Sequence, residues 1–391
     1  MSPSLPVITD AERRHRLGRR HRLAASARAA AVAQAADAVV ALHATDAATV
    51  FLSARARLSG GGPAAVERAL YEDVSLVRLL SMRNTLFAVS TALAPYVDAS
   101  TARGIAAKER RTLLKHLAED GQGLDAAWLA DAEQAALDAL DTRGASTGTQ
   151  LSAAVPALRQ KITVFRGKKY ETETGVATRV IRLLAADGRI RRDRPRGSWT
   201  SSQFRWVHTE PWPALPAAVA RAEIARRWLA AYGPATEADL TWWTGWTRTE
   251  VRKALAAVGP YEVRLDDGST ALVAPGDTEP EPAPEPWAAL LPGLDPSAMG
   301  WADRGFHLDP ELRPALFDRA GNIGPTVWWN GRIVGGWAQR PDGTIVWRLL
   351  ADPGRAAEEA VTAEAAALAD WIGDARVTPR FRTPLERELS V

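Results

Sequence analysis

The chain has 391 residues, 46% hydrophobic and 24% charged, enough for about two to four packed units. It contains no cysteine, which excludes disulfides, thiolate metal sites and cysteine nucleophiles and fits a reducing cytosol. The formal net charge of only +3 says nothing about nucleic acid, so the distribution of charge has to be read instead.

The first thirty residues are basic and then Ala-rich, but no compact Leu-rich core of a targeting signal follows, and Asp10 to Glu12 begins a helix with an acidic first turn. The segment is read as mature protein, and no uncharged apolar run is long enough to cross a membrane. Residues 10–43 read as two helices, the second being the apolar run Ala29 to Leu42. After Gly60-Gly61-Gly62, a helix is predicted from Pro63 to Tyr71, with proline near its first position. Leu76 to Met82 then leads into a strand at Thr85–Val89.

An internal repeat organises the middle of the chain. Leu140, Gly144, Thr147 and Leu151 recur at the same offsets as Leu229, Gly233, Thr236 and Leu240. The pattern predicts a helix end, a glycine in the left-handed cap position, a threonine capping the next helix, and a leucine packing that helix back. Each copy then continues with a helix (Thr178 to Ala186; Arg248 to Val258) and a hairpin, the second turning at Asp267-Gly268. The first copy carries an insertion, roughly Pro156 to Thr174. Helix-turn-helix followed by a hairpin predicts tandem winged helices.

A Pro/Glu crossing follows at residues 277–287. Beyond it, Asn330-Gly331 and Pro341-Asp342-Gly343 mark the turns of a three-stranded meander, and Gly354 to Ile372 reads as a helix. The predicted fold class is α+β: tandem winged-helix domains, three in all, followed by a small β-barrel-like C-terminal domain. The boundaries are 1–95, 96–210, 211–277 and 288–391.

Two segments are basic, Arg13 to Arg22 and Lys161 to Arg205. Between Arg159 and Arg205 there are about thirteen Lys and Arg against about four Asp and Glu. On a winged helix such cations neutralise phosphates while Ser and Gln add hydrogen bonds. Arg189, Arg191, Arg192, Arg194, Arg196, Ser201 and Gln203 are the candidate DNA contacts, with Trp199 as a stacking or wedging residue; a solvated charged hairpin or a protein-binding surface are the competing readings. The second copy's hairpin carries Glu262, Asp266 and Asp267 beside Arg264 and is read as structural. Trp242, Trp243 and Trp246 read as core.

Leu42-His43-Ala44-Thr45-Asp46, Ser75 to Leu86, Gly144 to Leu151, Gly197 to Ser201, Thr236 to Gly245 and Trp337 to Arg340, in this order, resemble the AlkZ/YcaQ-type winged-helix DNA glycosylase superfamily over nearly the full length. The resemblance implies three winged helices with a C-terminal barrel and a monofunctional glycosylase that removes alkylated or cross-linked purines from double-stranded DNA. It implies no cofactor or metal. The family's Gln-x-Gln or Gln-x-Asp motif falls where this chain has His43-Ala44-Thr45, so His43, Thr45 and the adjacent Asp46 are the candidate catalytic residues. The competing reading makes His43 a helix-end side chain and Thr45-Asp46 a helix cap. By the same resemblance Arg83 and Asn84 are candidate phosphate or flipped-nucleotide contacts, against a salt bridge and a turn. Asp295 matches a family position near the site, against a turn-initiating Asp before Pro.

Three function classes follow: a glycosylase hydrolysing the N-glycosidic bond of alkylated purines, a non-catalytic DNA binder (a regulator or an inactive relative), and an interaction protein. No long heptad helix is present, so a monomer is expected, cytoplasmic and nucleoid-associated.

Overall fold

The computed structural model describes residues 5–120 and 122–391; Met1–Ser4, the start of the segment read as mature protein, and Gly121 lie outside it. Among the described residues no helix is long and apolar enough to cross a membrane.

Three stretches repeat one order of elements. In the first, helices Val32–Asp37, Ala47–Arg55 and Pro63–Tyr71 precede the hairpin Leu76–Ser81/Thr85–Ser90. The second has helices Arg103–Asp120, Ala126–Arg143, Gly148–Ala154 and Ala177–Ala186, then the hairpin Ile190–Asp193/Arg205–His208. The third has helices Ala217–Tyr232, Glu237–Thr244 and Arg248–Val258, then the hairpin Tyr261–Arg264/Thr270–Val273.

One backbone device recurs in all three. Just before the middle helix, a short extended segment pairs with the last hairpin strand. Ser146 exchanges hydrogen bonds with Trp206 (3.0 and 2.8 Å), and Ala235 with Leu272 (3.0 and 2.8 Å). In the first stretch this segment is the strand Leu42–His43, paired antiparallel with Thr85–Ser90. The helix is then capped by Asp46, Thr147 and Thr236 respectively. Thr147 and Thr236 form reciprocal capping boxes with Gln150 and Asp239, which satisfy two otherwise orphaned N–H groups at each helix start.

Several expectations are corrected. The run Ala29 to Leu42 is helical only over Val32–Asp37; Val40 turns at φ 63° and the chain leaves to join the sheet, so strand pairing overrides the helical pattern. Neither predicted cap glycine is left-handed helical. Gly144 has φ 71°, ψ −158°, and Gly233 is extended at φ −67°, ψ 143°, because the following Pro234 disfavours the helical region. Glycine is needed at 233 for another reason: a Cβ there would lie 2.6 Å from the Leu229 carbonyl oxygen. The insertion forms a hairpin of its own, Lys161–Val164/Thr172–Gly175.

The C-terminal unit is not a closed barrel. Its sheet has four antiparallel strands in the order Ala288–Leu291, Thr326–Trp329, Arg332–Gln339, Ile345–Leu349. The first of these lies just past the Pro/Glu crossing, outside the predicted meander. Four strands enclose no interior wide enough for side chains, which takes about eight; the apolar residues are covered instead by helix Arg355–Ile372, with Val361 and Leu368 buried in the shared core.

Cores cut across these stretches. One continuous apolar cluster joins the first stretch, the third and the C-terminal unit, whereas residues 113–190 have a cluster of their own. The crossing 277–287 is tied to the basic helix Asp10–Arg20: Arg20 pairs with Asp277 (2.8 Å) and Glu281, Arg16 donates to the Glu279 carbonyl (2.9 Å) and Arg19 to that of Pro282 (2.9 Å). Deeper in, the Arg57 guanidinium grips Asp295 through both carboxylate oxygens (2.9 and 2.7 Å), with both side chains inaccessible to solvent. Ser53 donates to the same carboxylate at 2.7 Å, and Arg57 reaches Ser297 at 2.8 Å. Removing one partner leaves an uncompensated buried charge at a cost of about 3–5 kcal/mol. Asp295→Ala is therefore expected to lower unfolding stability by that amount, while Arg57→Met/Asp295→Leu together recover most of it; denaturant midpoints of the three proteins check this.

Candidate functional site

His43 sits on the short edge strand against Phe87, ring to ring at 5.1 Å and 65°. It is buried, and burial followed by the nearby Arg83 charge pushes its pKa down to about 3. Its imidazole is neutral at pH 7. Nδ1 accepts from the Thr45 backbone N–H at 3.5 Å, which leaves the proton on Nε2. With its one free lone pair accepting from Thr45 and its basicity lowered by burial, this ring is a weak base and is suited to orienting a partner. Thr45 turns its hydroxyl into a buried position where, among the described residues, Oγ1 has no hydrogen-bond partner. Buried hydroxyls are normally paired, so this one stands out in the segment between His43 and Asp46.

Asp46 is the N-cap of helix Ala47–Arg55, accepting from the Ala48 N–H at 3.1 Å, and its other oxygen accepts from the Arg380 N–H at 3.0 Å. The geometry gives the carboxylate a capping role and anchors the C-terminal segment beside the site. Asp295, placed near the site by resemblance, is held in the buried knot with Arg57 and with Ser53 of the helix that Asp46 caps.

Arg83 and Asn84 form the turn between the first hairpin's strands, and both are left-handed, with φ 53° and 58°. Two consecutive non-glycine residues in that region store strain, a feature that clusters at functional sites. The Arg83 guanidinium lies 4.4 Å from the centroid of Trp242. Gly245 (φ 73°) lets this turn approach, because a Cβ there would lie 3.3 Å from the Arg83 nitrogen. Asn84 is exposed and accepts from Arg182 at 2.8 Å. Trp243 and Trp246 are buried as predicted, but Trp242 is only half-buried.

The loop after Asp193 is more closely packed than the DNA-contacting tip expected there. Pro195 is buried. Trp199 is buried too, stacked on Phe51 (5.0 Å, 28°) and edge-on to Trp371 (5.8 Å, 71°), so it wedges between stretches of this chain and cannot stack on a base. Arg194 is held by Glu67 (3.2 Å) and Glu72 (2.7 Å). Arg192 lies over Phe204 (4.4 Å) and Trp206 (5.5 Å), and burial lowers its pKa to about 10, still cationic. Arg189 donates to Gln134 at 3.3 Å. Arg191 is half-buried, as is Ser201, whose hydroxyl accepts from the Gln203 N–H at 3.1 Å. Arg196 and Gln203 are exposed.

The inserted hairpin presents what that loop does not. Phe165 (42% exposed) and Tyr170 (65%) flank its tip, their rings 5.1 Å apart, and Arg166, Lys168 and Lys169 are exposed between them. The sequence carries a signal for it, since basic residues around Gly167 bracketed by two aromatics suit a backbone-tracking loop. That signal is hidden when the stretch is read only as part of a longer basic segment.

The chain matches the family described as "DNA glycosylase AlkZ-like" over residues 36–371. The chain belongs to this family. A curated relative, the interstrand DNA cross-link repair glycosylase of Streptomyces sahachiroi, is 32% identical over 165 residues, which cover 40% of this chain and 44% of that protein. The matched part therefore spans less than half of that relative. The solved structure of Streptomyces sahachiroi DNA glycosylase AlkZ superposes with a TM-score of 0.69 at 22% identity, covering 95% of this chain and 98% of that one; this likeness concerns the fold.

Burial holds three histidines neutral. His21 and His43 are both pushed down to about 3, and His307 falls well below the usual range, burial being the leading cause each time. A folded-state pKa below the unfolded value of about 6.5 means that the unfolded chain binds the protons first as pH falls. Stability is thus complete above pH 6.5 and lost below it, by about 2 kcal/mol per histidine between pH 7 and 5. Urea midpoints across that range are expected to fall steeply, and His43→Gln is expected to flatten the dependence by one proton; an unchanged slope in that variant would place the titrating groups elsewhere.

Proposed function

We propose that this chain is a monofunctional DNA glycosylase that hydrolyses the N-glycosidic bond of alkylated or cross-linked purines in duplex DNA, its three helix-plus-hairpin stretches acting as tandem winged helices. The observation that carries the proposal is the buried Thr45 hydroxyl, without a partner among the described residues, beside the neutral His43, in the segment that the resemblance matches to the family's catalytic motif. The named activity of the Streptomyces sahachiroi relative, cross-link repair, supports the substrate class.

The chemistry asks little of the protein as an acid. A purine alkylated at N7 or N3 is already cationic, so when the C1′–N9 bond breaks its electron pair neutralises the departing base. The sugar becomes oxocarbenium-like, and water must be aimed at C1′ and lose a proton. Thr45 Oγ1 accepts from or donates to that water, and His43 Nε2–H fixes its second contact. Asp46 supplies the negative charge that favours the sugar cation and takes up the proton. Arg83 holds the backbone of the extruded nucleotide. The tip of the inserted hairpin, together with Arg196 and Gln203, grips the duplex through phosphates; Arg192 and Arg194 support that surface from beneath. The chain has no need of a cofactor in this scheme and acts as a monomer.

A non-catalytic DNA binder is the second reading, favoured by one observation: both Asp46 oxygens accept backbone N–H groups. One substitution separates the two. Asparagine caps a helix as well as aspartate, so Asp46→Asn keeps the Ala48 cap and removes the charge, together with the contact to the exposed Arg380 N–H, which an amide NH2 cannot accept. On oligonucleotides carrying N7-alkylguanine or a purine cross-link, abasic-site formation is expected from the wild type. Both Asp46→Asn and Thr45→Val are expected to lose about 100-fold or more in single-turnover rate with duplex affinity kept within a few-fold. No base release by the wild type would leave the binder reading.

The hairpin gives an independent check. Arg166→Glu/Lys168→Glu/Lys169→Glu is expected to weaken duplex binding and to reduce the slope of log affinity against log salt by up to about 0.9 for each phosphate no longer neutralised. An unchanged slope would remove the hairpin from the interface.

A further inference from the structure

The C-terminal unit places a cation in the candidate site that the scheme above does not use. Arg304 is 8% exposed, and its guanidinium lies 5.0 Å from the same Trp242 ring that Arg83 covers at 4.4 Å. Beyond it, Arg304 is 5.7 Å from Phe317, and the exposed Arg313 covers Phe317 at 4.3 Å. Three arginines and two aromatic rings therefore alternate, with half-buried Arg83 at one end, buried Arg304 in the middle and exposed Arg313 at the other end.

Among the described residues, none of these arginines has a carboxylate within 4.0 Å. Arg304 has a single side-chain hydrogen bond, to the Met299 sulfur at 3.8 Å, and the buried Nε atoms of Arg83 and Arg304 have no partner. The acids nearby are committed elsewhere. Asp239 accepts from the Ala302 N–H (2.8 Å) and from Thr236 (2.7 Å), and Asp303 accepts from the Gly305 N–H (3.0 Å). Burial, then the charges of Arg313 and Arg83, lowers the Arg304 pKa to about 10, so it remains charged at neutral pH. Buried cations are normally paired because desolvation is costly, and like charges in a row add to that cost. Stacking on aromatic rings offsets only part of it.

The row opens into a cleft of about 1130 Å³ whose lining has five arginines, Arg313, Arg319, Arg380, Arg382 and Arg387, against one carboxylate, Asp318. Asp318 is itself taken by Asn322 at 2.8 Å, and of the five arginines Arg382 is paired with Glu386 (2.7 and 3.0 Å), which leaves four without a carboxylate partner among the described residues. The backbone of Arg380 is bonded to Asp46, so the cleft is joined to the candidate catalytic strand at a second point.

We propose that Arg304 and Arg313 hold consecutive phosphodiesters of the lesion-bearing strand, leading it from Arg83 into the arginine cleft of the C-terminal unit. The occupant is a phosphodiester chain because its charges repeat and each is singly negative, matching cations spaced along a row. The C-terminal unit is thereby a part of the nucleic-acid site, and Arg304 is a positioning residue. This rests on the glycosylase reading above.

The test uses the full chain and a duplex with one tetrahydrofuran abasic analogue, in which single phosphates are replaced in turn by neutral methylphosphonate. Wild type is expected to lose about tenfold in affinity at one flanking phosphate, the value of a charge-assisted hydrogen bond. Arg304→Met, which keeps a long apolar stem over Trp242, is expected to lose about as much on the unmodified duplex and then to be indifferent to that one methylphosphonate. Arg313→Met, at the exposed end where folding is not at stake, is expected to behave likewise at the adjacent phosphate. Losses that multiply at every position in both variants, or wild-type binding by both, overturn the assignment. A wild type that ignores the abasic analogue altogether overturns this proposal together with the glycosylase reading; one that binds it without an arginine-linked phosphate overturns this proposal alone.

Discussion

The pair Arg57–Asp295 joins residues 238 apart in sequence and holds together the two units that build the candidate site. Arg57 follows helix Ala47–Arg55, which Asp46 caps; Asp295 stands at the entrance to the segment that carries Arg304 and the arginine cleft. Ser297 passes the contact on to His21 at 2.8 Å, and His21 contacts the Ala231 carbonyl at 3.1 Å, at the end of the third stretch's first helix. A buried charge pair is weak support for stability, since apolar residues of the same shape often do as well. Its value here is geometric. Bidentate contact fixes angle as well as distance, so the first stretch and the C-terminal unit cannot slide past one another, and Thr45, Arg83 and Arg304 keep one arrangement.

Charge elsewhere is used mostly between parts of the chain. Arg16, Arg19 and Arg20, the most conspicuous basic run, hold down the acidic crossing 277–287. Arg194 is neutralised by Glu67 and Glu72, and Arg110 by Glu133 and Asp187. A basic segment in sequence is therefore a poor guide to an anion-binding surface. Cations without an acidic partner are the informative ones, and they occur at the inserted hairpin and along the row Arg83–Arg304–Arg313.

The same division separates what is legible in the sequence from what is not. The repeat is legible because capping is local chemistry: Thr147 with Gln150 and Thr236 with Asp239 lie three residues apart, and both boxes form. Helices Pro63–Tyr71 and Arg248–Val258 are legible for the same reason. Whatever depends on distant partners is not. Trp199 reads as a loop tryptophan until Phe51 and Trp371 close over it. Leu42–His43 reads as the end of an apolar helix until Thr85–Ser90 offers a ladder. Arg304 carries no local signal at all, since its meaning comes from Trp242, far earlier in the chain, and from the want of any acid beside it among the described residues.

The corrected strand also changes how His43 and Thr45 are understood. Thr45 stands where the other two stretches have Ser146 and Ala235, the residue just before the cap, whose backbone there is paired with the last hairpin strand. In those stretches the position has a structural role only: Ser146 Oγ is turned to the Gly144 carbonyl at 3.0 Å, and Ala235 has no polar side chain. In the first stretch the strand pairing ends one residue earlier, at Ala44, whose N–H donates to Leu86, and Thr45 holds a buried hydroxyl that has no partner among the described residues, beside a neutral imidazole that a strained arginine turn faces. A local frame that recurs three times, and is left unsatisfied once, is the arrangement expected where a scaffold has been kept for stability in two copies and given chemistry in the third.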